Sequence, residues 1–236
     1  MVKNEELINI MTEDLKRALK KPADKRVWVM AIDIKKCIGC HACTTGCMSE
    51  NLTPPGIQYR PVRESEIGTF PNIALKFLPR PCMQCENPPC VKVCPVKATY
   101  KREDGITIID YNKCVGCRYC LVACPYGARS SDVGAYYTGK FKKATYEVES
   151  SQEYGKEWAR RNHFCSPVGN ARKCHFCIHR IEKGVLPRCV ETCLSNATYF
   201  GDLSDPDSLV AKAVAKTNTF KYKELLGTKP RVIYIT

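Results

Sequence analysis

Between residues 4 and 21, Leu7, Met11, Leu15 and Ala18 recur at helical spacing, with Glu5, Glu6, Lys16 and Lys20 among the other positions. That period predicts an amphipathic helix packed on the body or on a partner. The pattern then changes to short apolar runs at 27–33, 74–78, 106–110, 198–201 and 232–235, all of strand length. The first three each lead into a group of cysteines, and the fourth follows one. Short strands flanking cysteine loops and short helices predict an α+β fold. Ser204-Asp205-Pro206 reads as a helix start, with Ser204 or Asp205 capping and Leu209, Ala213 and Val214 facing inward. No run approaches the ~20 apolar residues of a transmembrane helix. The charged stretch 1–25 reads as neither a signal peptide nor a twin-arginine leader, so no export address or membrane anchor is expected.

Composition changes the picture through one residue type. The chain has 236 residues and 17 cysteines. They fall into four groups: Cys37-x2-Cys40-x2-Cys43-x3-Cys47, Cys82-x2-Cys85-x4-Cys90-x3-Cys94, Cys114-x2-Cys117-x2-Cys120-x3-Cys124, and Cys174-x2-Cys177-x11-Cys189-x3-Cys193. Cys165 is left over and reads as a free thiol. Groups one and three match the bacterial ferredoxin run, in which three closely spaced thiolates wrap one cubane and the fourth reaches another. Groups two and four keep the same ends with an expanded loop. Pro95 and Pro125 follow the last cysteine of groups two and three, as in that motif; Met48 and Leu194 stand there in groups one and four. A secreted disulfide scaffold is usually shorter, with a signal peptide and an even cysteine count. Zinc ribbons use paired C-x2-C units and leave the extra C-x3-C unexplained. Iron–sulfur ligation accounts for every group.

The groups also read as copies of one unit. A phase Cys-x3-Cys-x3-Ala runs through Cys90, Cys94 and Ala98, through Cys120, Cys124 and Ala128, and through Cys189, Cys193 and Ala197. The small residue would let a short helix sit close over a cluster.

The formal charge of +13 ordinarily points to nucleic acid or an anionic surface. Four four-thiolate clusters at about −2 each bring it to about +5, so much of the basic excess balances cluster charge. No helix-turn-helix or RNA-binding signature is present, and no nucleic-acid partner is expected. Nor is there a nucleophile–base signature, P-loop or dinucleotide fingerprint. The chemistry expected is one-electron transfer, with the protein supplying position and electrostatics. His41, His175 and His179 lie among full cysteine quartets and read as groups beside the clusters or at the surface. His163 receives no role, and Trp28 reads as a packing residue. Two long insertions, 48–81 and 129–173, separate the groups, and the second is the candidate partner surface.

The order of the quartets resembles the iron–sulfur electron-transfer subunit of molybdopterin oxidoreductases of the dimethyl sulfoxide, polysulfide, thiosulfate and tetrathionate reductase type. The resemblance covers 27 to about 205. It is carried by the quartets, by Asn87-Pro88-Pro89-Cys90, Lys113-Cys114-Val115-Gly116-Cys117-Arg118-Tyr119-Cys120 and Pro187-Arg188-Cys189-Val190, and by Gly201-Asp202-Leu203. It implies four [4Fe–4S] clusters with interleaved ligands. Cys37, Cys40 and Cys43 would take Cys193, and Cys174, Cys177 and Cys189 would take Cys47. Cys82, Cys85 and Cys90 would take Cys124, and Cys114, Cys117 and Cys120 would take Cys94. Cys117 stands where some relatives carry a tryptophan and a [3Fe–4S] cluster.

The implied organisation is two bacterial-ferredoxin-like two-cluster modules with long inserted loops. Residues 1–26 form an N-terminal helix or tail, 27–75 plus 165–205 the first module, and 76–130 the second. Residues 131–164 form the insertion expected to meet a partner, and 206–236 a C-terminal helix and strand. The implied partners are a molybdenum or tungsten catalytic subunit, facing groups one and four, and a membrane quinone-reactive subunit, facing groups two and three. The chain would be non-catalytic and held at the outer, periplasmic face of the membrane by co-export with its partner, although cytoplasmic relatives exist. A free-standing soluble polyferredoxin is the rival reading.

Overall fold

The computed structural model describes residues 4–134, 144–156 and 167–236. Cys165, His163 and the middle of the 131–164 insertion lie outside the described residues. In chain order the elements are α1 (Asn4–Leu19), β1 (Trp28–Asp33), α2 (Ala42–Glu50), β2 (Val62–Thr69), β3 (Asn72–Pro79), α3 (Pro89–Lys92), β4 (Thr99–Lys101), β5 (Thr107–Ile109) and α4 (Tyr119–Val122). They continue with β6 (Arg129–Ser131), α5 (Thr145–Val148), β7 (Ala171–Lys173), α6 (Ile178–Ile181), α7 (Arg188–Glu191), β8 (Thr198–Asp202), α8 (Leu209–Lys216), β9 (Thr219–Phe220) and β10 (Val232–Ile235).

A four-stranded sheet of order β8-β1-β10-β9 forms the centre. β1 pairs antiparallel with β8 and parallel with β10. Because β1 is central, Trp28 through Ile32 are all buried, which is why the strand reads as an unbroken apolar run rather than an alternating one. Trp28 stacks on Phe200 at 5.6 Å between ring centroids, the packing role expected of it.

Helix α1 packs on this body, against β8 and α8. Met11, Leu15 and Ala18 are buried beneath it, and burying Leu15 contributes on the order of 1.5–3 kcal/mol. Charge pins the same helix: Arg17 reaches Asp205 at 2.7 Å and Lys21 reaches Asp202 at 2.8 Å.

The last helix begins later than its sequence signals indicate. Asp205 is engaged by Arg17, and Ser204 Oγ donates to Asp202. The cap is instead Ser208, whose Oγ accepts from Ala211 N at 3.2 Å. Val210 takes the fully buried position, while Leu209, Ala213 and Val214 pack only partly against the core.

The insertions are not plain loops. Residues 48–81 contain the hairpin β2–β3, paired from Val62↔Pro79 to Thr69↔Asn72 and largely exposed. The 129–173 segment is tied at its ends by β6–β7. Behind that ladder Arg172 is buried, with ion pairs to Asp132 at 2.8 Å and Glu153 at 3.0 Å. Tyr59 donates to the same Glu153, so the two insertions meet in a shared buried network.

Candidate cluster-binding sites

Each cysteine group hangs from a strand, and two ladders bring distant groups together. In the first, Asp33 N donates to Ala197 O at 2.7 Å; in the second, Asp110 N donates to Ala98 O at 2.8 Å. Asp33 and Asp110 each lie four residues before the first cysteine of a group, and Ala197 and Ala98 four residues after the last cysteine of another. The same bond therefore carries Cys193 towards Cys37 and Cys94 towards Cys114. Asp33 and Asp110 also turn the chain into the loops, accepting from Lys35 N and Asn112 N at 3.0 Å.

The loops share a backbone device. The residue before the second cysteine is left-handed in every group: Gly39, Gln84, Gly116 and Phe176, with φ of 69°, 44°, 68° and 57°. The chain thereby curls so that neighbouring thiols point inward. Glycine is required at Gly116, where an added Cβ would lie 2.3 Å from the Gly169 carbonyl oxygen. The third cysteines of groups two, three and four sit on the short helices α3, α4 and α7. Ala98 and Ala197 are buried at the expected small-residue stations.

Four thiols ring each of two similar cavities. Cys37, Cys40, Cys43 and Cys193 line one. Cys82, Cys85, Cys90 and Cys124 line the other. Cys47 approaches Cys174, Cys177 and Cys189 closely enough to interact electrostatically with all three. Asn51 spans that contact, its Nδ2 lying 3.3 Å from Cys47 Sγ and 3.9 Å from Cys177 Sγ. Thiols gathered four at a time around one space suit a polynuclear iron–sulfur group. Arg60, beside the first cavity, keeps its buried Nε without a hydrogen-bond partner, a donor that a cluster sulfide would satisfy.

Burial pushes the Cys47 and Cys177 thiols well above their ordinary range. Burial, with neighbouring cysteines, raises Cys174 and Cys85 to about 12. These thiols are neutral without iron, so cluster binding must displace their protons. His41 lines the first cavity beside its thiols, and each of the three histidines contacts a polar side chain. His175 contacts Asn51 Oδ1 at 3.0 Å, His179 contacts Glu50 at 2.7 Å, and His41 contacts Glu64 at 3.1 Å.

Asn51 and two arginines beside the thiols escaped the sequence reading. Arg60 Nη1 lies 3.3 Å from Cys189 Sγ, and Arg129 Nη2 lies 3.0 Å from Cys90 Sγ. Arg129 had a signal: it follows Ala128, at the phase where Thr99 follows Ala98 and Thr198 follows Ala197. Arg60 lies in an insertion, far in sequence from its thiol, with no local signal.

The fold and these sites define an iron–sulfur electron-transfer protein of the ferredoxin class. The 4Fe-4S dicluster domain matches residues 36–98 in one family description, and residues 73–166 and 159–203 in another. A selenate reductase subunit from Mesobacillus selenatarsenatis is 57% identical over 100% of this chain and 81% of its own length. A tetrathionate reductase subunit from Salmonella typhimurium is 38% identical, covering 87% of this chain and 72% of its own. The iron–sulfur cluster-binding subunit of menaquinone reductase from Nitratidesulfovibrio vulgaris is 33% identical, covering 89% and 88%. The chain belongs to the iron–sulfur subunit family of dimethyl sulfoxide, polysulfide and tetrathionate reductase-type molybdopterin oxidoreductases. Its cofactors are four [4Fe–4S] clusters.

Proposed function

We propose that this chain passes single electrons between a molybdopterin catalytic subunit and a membrane quinone-reactive subunit, performing no acid–base chemistry itself. Each bound cluster supplies one-electron acceptance and donation. The ligand sets are the interleaved ones: Cys37, Cys40, Cys43 with Cys193; Cys174, Cys177, Cys189 with Cys47; Cys82, Cys85, Cys90 with Cys124; and Cys114, Cys117, Cys120 with Cys94. The segments 27–75 plus 165–205 and 76–130 are the two modules.

The observation that carries this reading is the gradation of burial along these sets. Cys40 and Cys117 are exposed, one in each module, whereas Cys47, Cys174, Cys177, Cys189, Cys82, Cys85 and Cys90 are buried. Cys174 and Cys82 lie close enough to interact electrostatically across the two modules. A path with buried middle stations and a surface-reaching station at each end is what a conductor between two partners requires. A mobile carrier needs only one such end.

No helix among the described residues is long and apolar enough to cross a membrane. Following the family resemblance, membrane attachment is assigned to the partner subunits, at the outer face by co-export, with a cytoplasmic placement as the alternative. The 57% identity to a selenate reductase subunit makes an oxyanion reductase the first partner to test. The test is anaerobic purification of the tagged native chain with metal analysis. The expected result is a large co-purifying subunit with molybdenum or tungsten, alongside about sixteen irons from this chain. A lone chain with the same iron would make it a soluble polyferredoxin.

A further inference from the structure

Arg60 and Arg129 occupy equivalent stations in the two modules, although they come from unrelated places in the sequence. Arg129 donates from Nη2 to Cys90 Sγ at 3.0 Å and from Nη1 to Thr99 Oγ1 at 3.2 Å. Arg60 donates from Nη1 to Cys189 Sγ at 3.3 Å and from Nη2 to Thr198 Oγ1 at 2.7 Å. Cys90 and Cys189 are each the third cysteine of a group, and Thr99 and Thr198 each stand five residues after the fourth. Each guanidinium also interacts with a thiol of the module's other group: Arg60 with Cys43, Arg129 with Cys120. Arg129 sits at the threonine position of the third repeat. Arg60 comes from the insertion before the hairpin and fills the corresponding space. Both side chains are buried, and among the described residues neither has a carboxylate as a hydrogen-bond or ion-pair partner.

We propose that Arg60 and Arg129 are matched positioning residues, one per module, that hold a fixed positive charge between two clusters and raise the reduction potentials of both. The inference rests on the cluster reading above. An added electron makes a cluster more negative, and a buried cation beside it favours that state strongly because little water screens the interaction. Arginine suits the task because its charge survives burial and its planar fork can engage a thiolate and a hydroxyl together. A neutral cap of the same shape would satisfy the threonine and leave the potential lower.

The experiment is an EPR-monitored redox titration of the intact complex carrying Arg60→Gln, Arg129→Gln, or the corresponding lysine variants. Arg60→Gln should lower the potentials of two of the four signals, shifting their reduced-to-oxidised ratio at least tenfold, about 59 mV for one electron. Arg129→Gln should do the same to the other two. The lysine variants keep the charge but lose the fork, and should shift the same pairs by less than the glutamine variants. Unmoved potentials, an equal shift in all four signals, or a lysine shift as large as the glutamine shift would overturn the proposal. If a glutamine variant fails to assemble, the methionine variant of the same arginine, which also removes the charge, decides: a downward shift in the same pair supports the proposal, and no shift overturns it. Iron content and signal count in the unsubstituted complex test the cluster reading separately, so the two failures are distinguishable.

Discussion

Left-handed residues are a recurring local device of these sites. Besides the residue before each second cysteine, Lys97, Gly127 and Asn196 share φ of 53°, 59° and 52°, each just before the alanine that closes a repeat. The repeat is thus written in backbone angles as well as in cysteines, but glycine marks only some of the stations. Opposite mutational outcomes follow. Gly116→Ala forces a Cβ against the Gly169 carbonyl and should cost at least about 1–2 kcal/mol, seen as a Tm several degrees lower with loss of iron. Lys97→Gly relieves a left-handed side chain at an exposed site and should leave Tm unchanged or raise it by a few degrees. All sixteen quartet cysteines were legible because their spacing is local. Arg60 was not, because its partner Cys189 lies 129 residues away and nothing in the adjoining sequence registers that contact.

At the scale of elements, legibility followed the apolar run, even in β3, which is read from 74–78 although it is largely exposed. β1 and β10 were readable because their residues are nearly all inside. β2 was not, because Val62 alone among its residues is buried and neither face offers an alternating apolar signal. The start of α8 was misplaced because Ser204 and Asp205, good caps by type, are committed to a local bond with Asp202 and a long-range one with Arg17. The attachment of α1 carries a pH prediction. Burial opposes the charged form of Asp202, but Lys21, Val27 N–H and Ser204 outweigh it and hold its pKa below the usual carboxylate range. Asp205 is likewise lowered, with Arg17 outweighing burial. Groups with depressed folded-state pKa values stabilise fully above the unfolded value of about 3.9, and that stability is lost as pH falls through the folded values. Tm should therefore fall more steeply below about pH 4 in the unsubstituted protein than in Asp202→Asn, which lacks one titrating group; equal slopes would remove Asp202 from the anchoring role.

At the scale of the whole molecule, the chain is folded back so that Cys193 of the last group lines a cavity with Cys37, Cys40 and Cys43 of the first, and Cys124 lines one with Cys82, Cys85 and Cys90. The β1–β8 ladder, joining residues 28–32 to 198–202, brings the two ends of that fold-back together. Repeats and composition indicated copies of one cysteine unit, and the two modules were implied by the family resemblance alone. None of these indicated that β10 would enter the same sheet beside β1, since a short apolar run names no neighbour. Nor did they indicate that the insertions would meet through Arg172, Glu153 and Tyr59. The central claim is that ligands are exchanged within modules, and one pair of substitutions addresses it most directly. Cys193→Ser and Cys47→Ser, each introduced into the anaerobically purified complex, should be followed by iron analysis and EPR. The account predicts damage confined to the first module, with the two clusters of the second giving unaltered spectra. Disturbance of the second module by Cys193→Ser would contradict it.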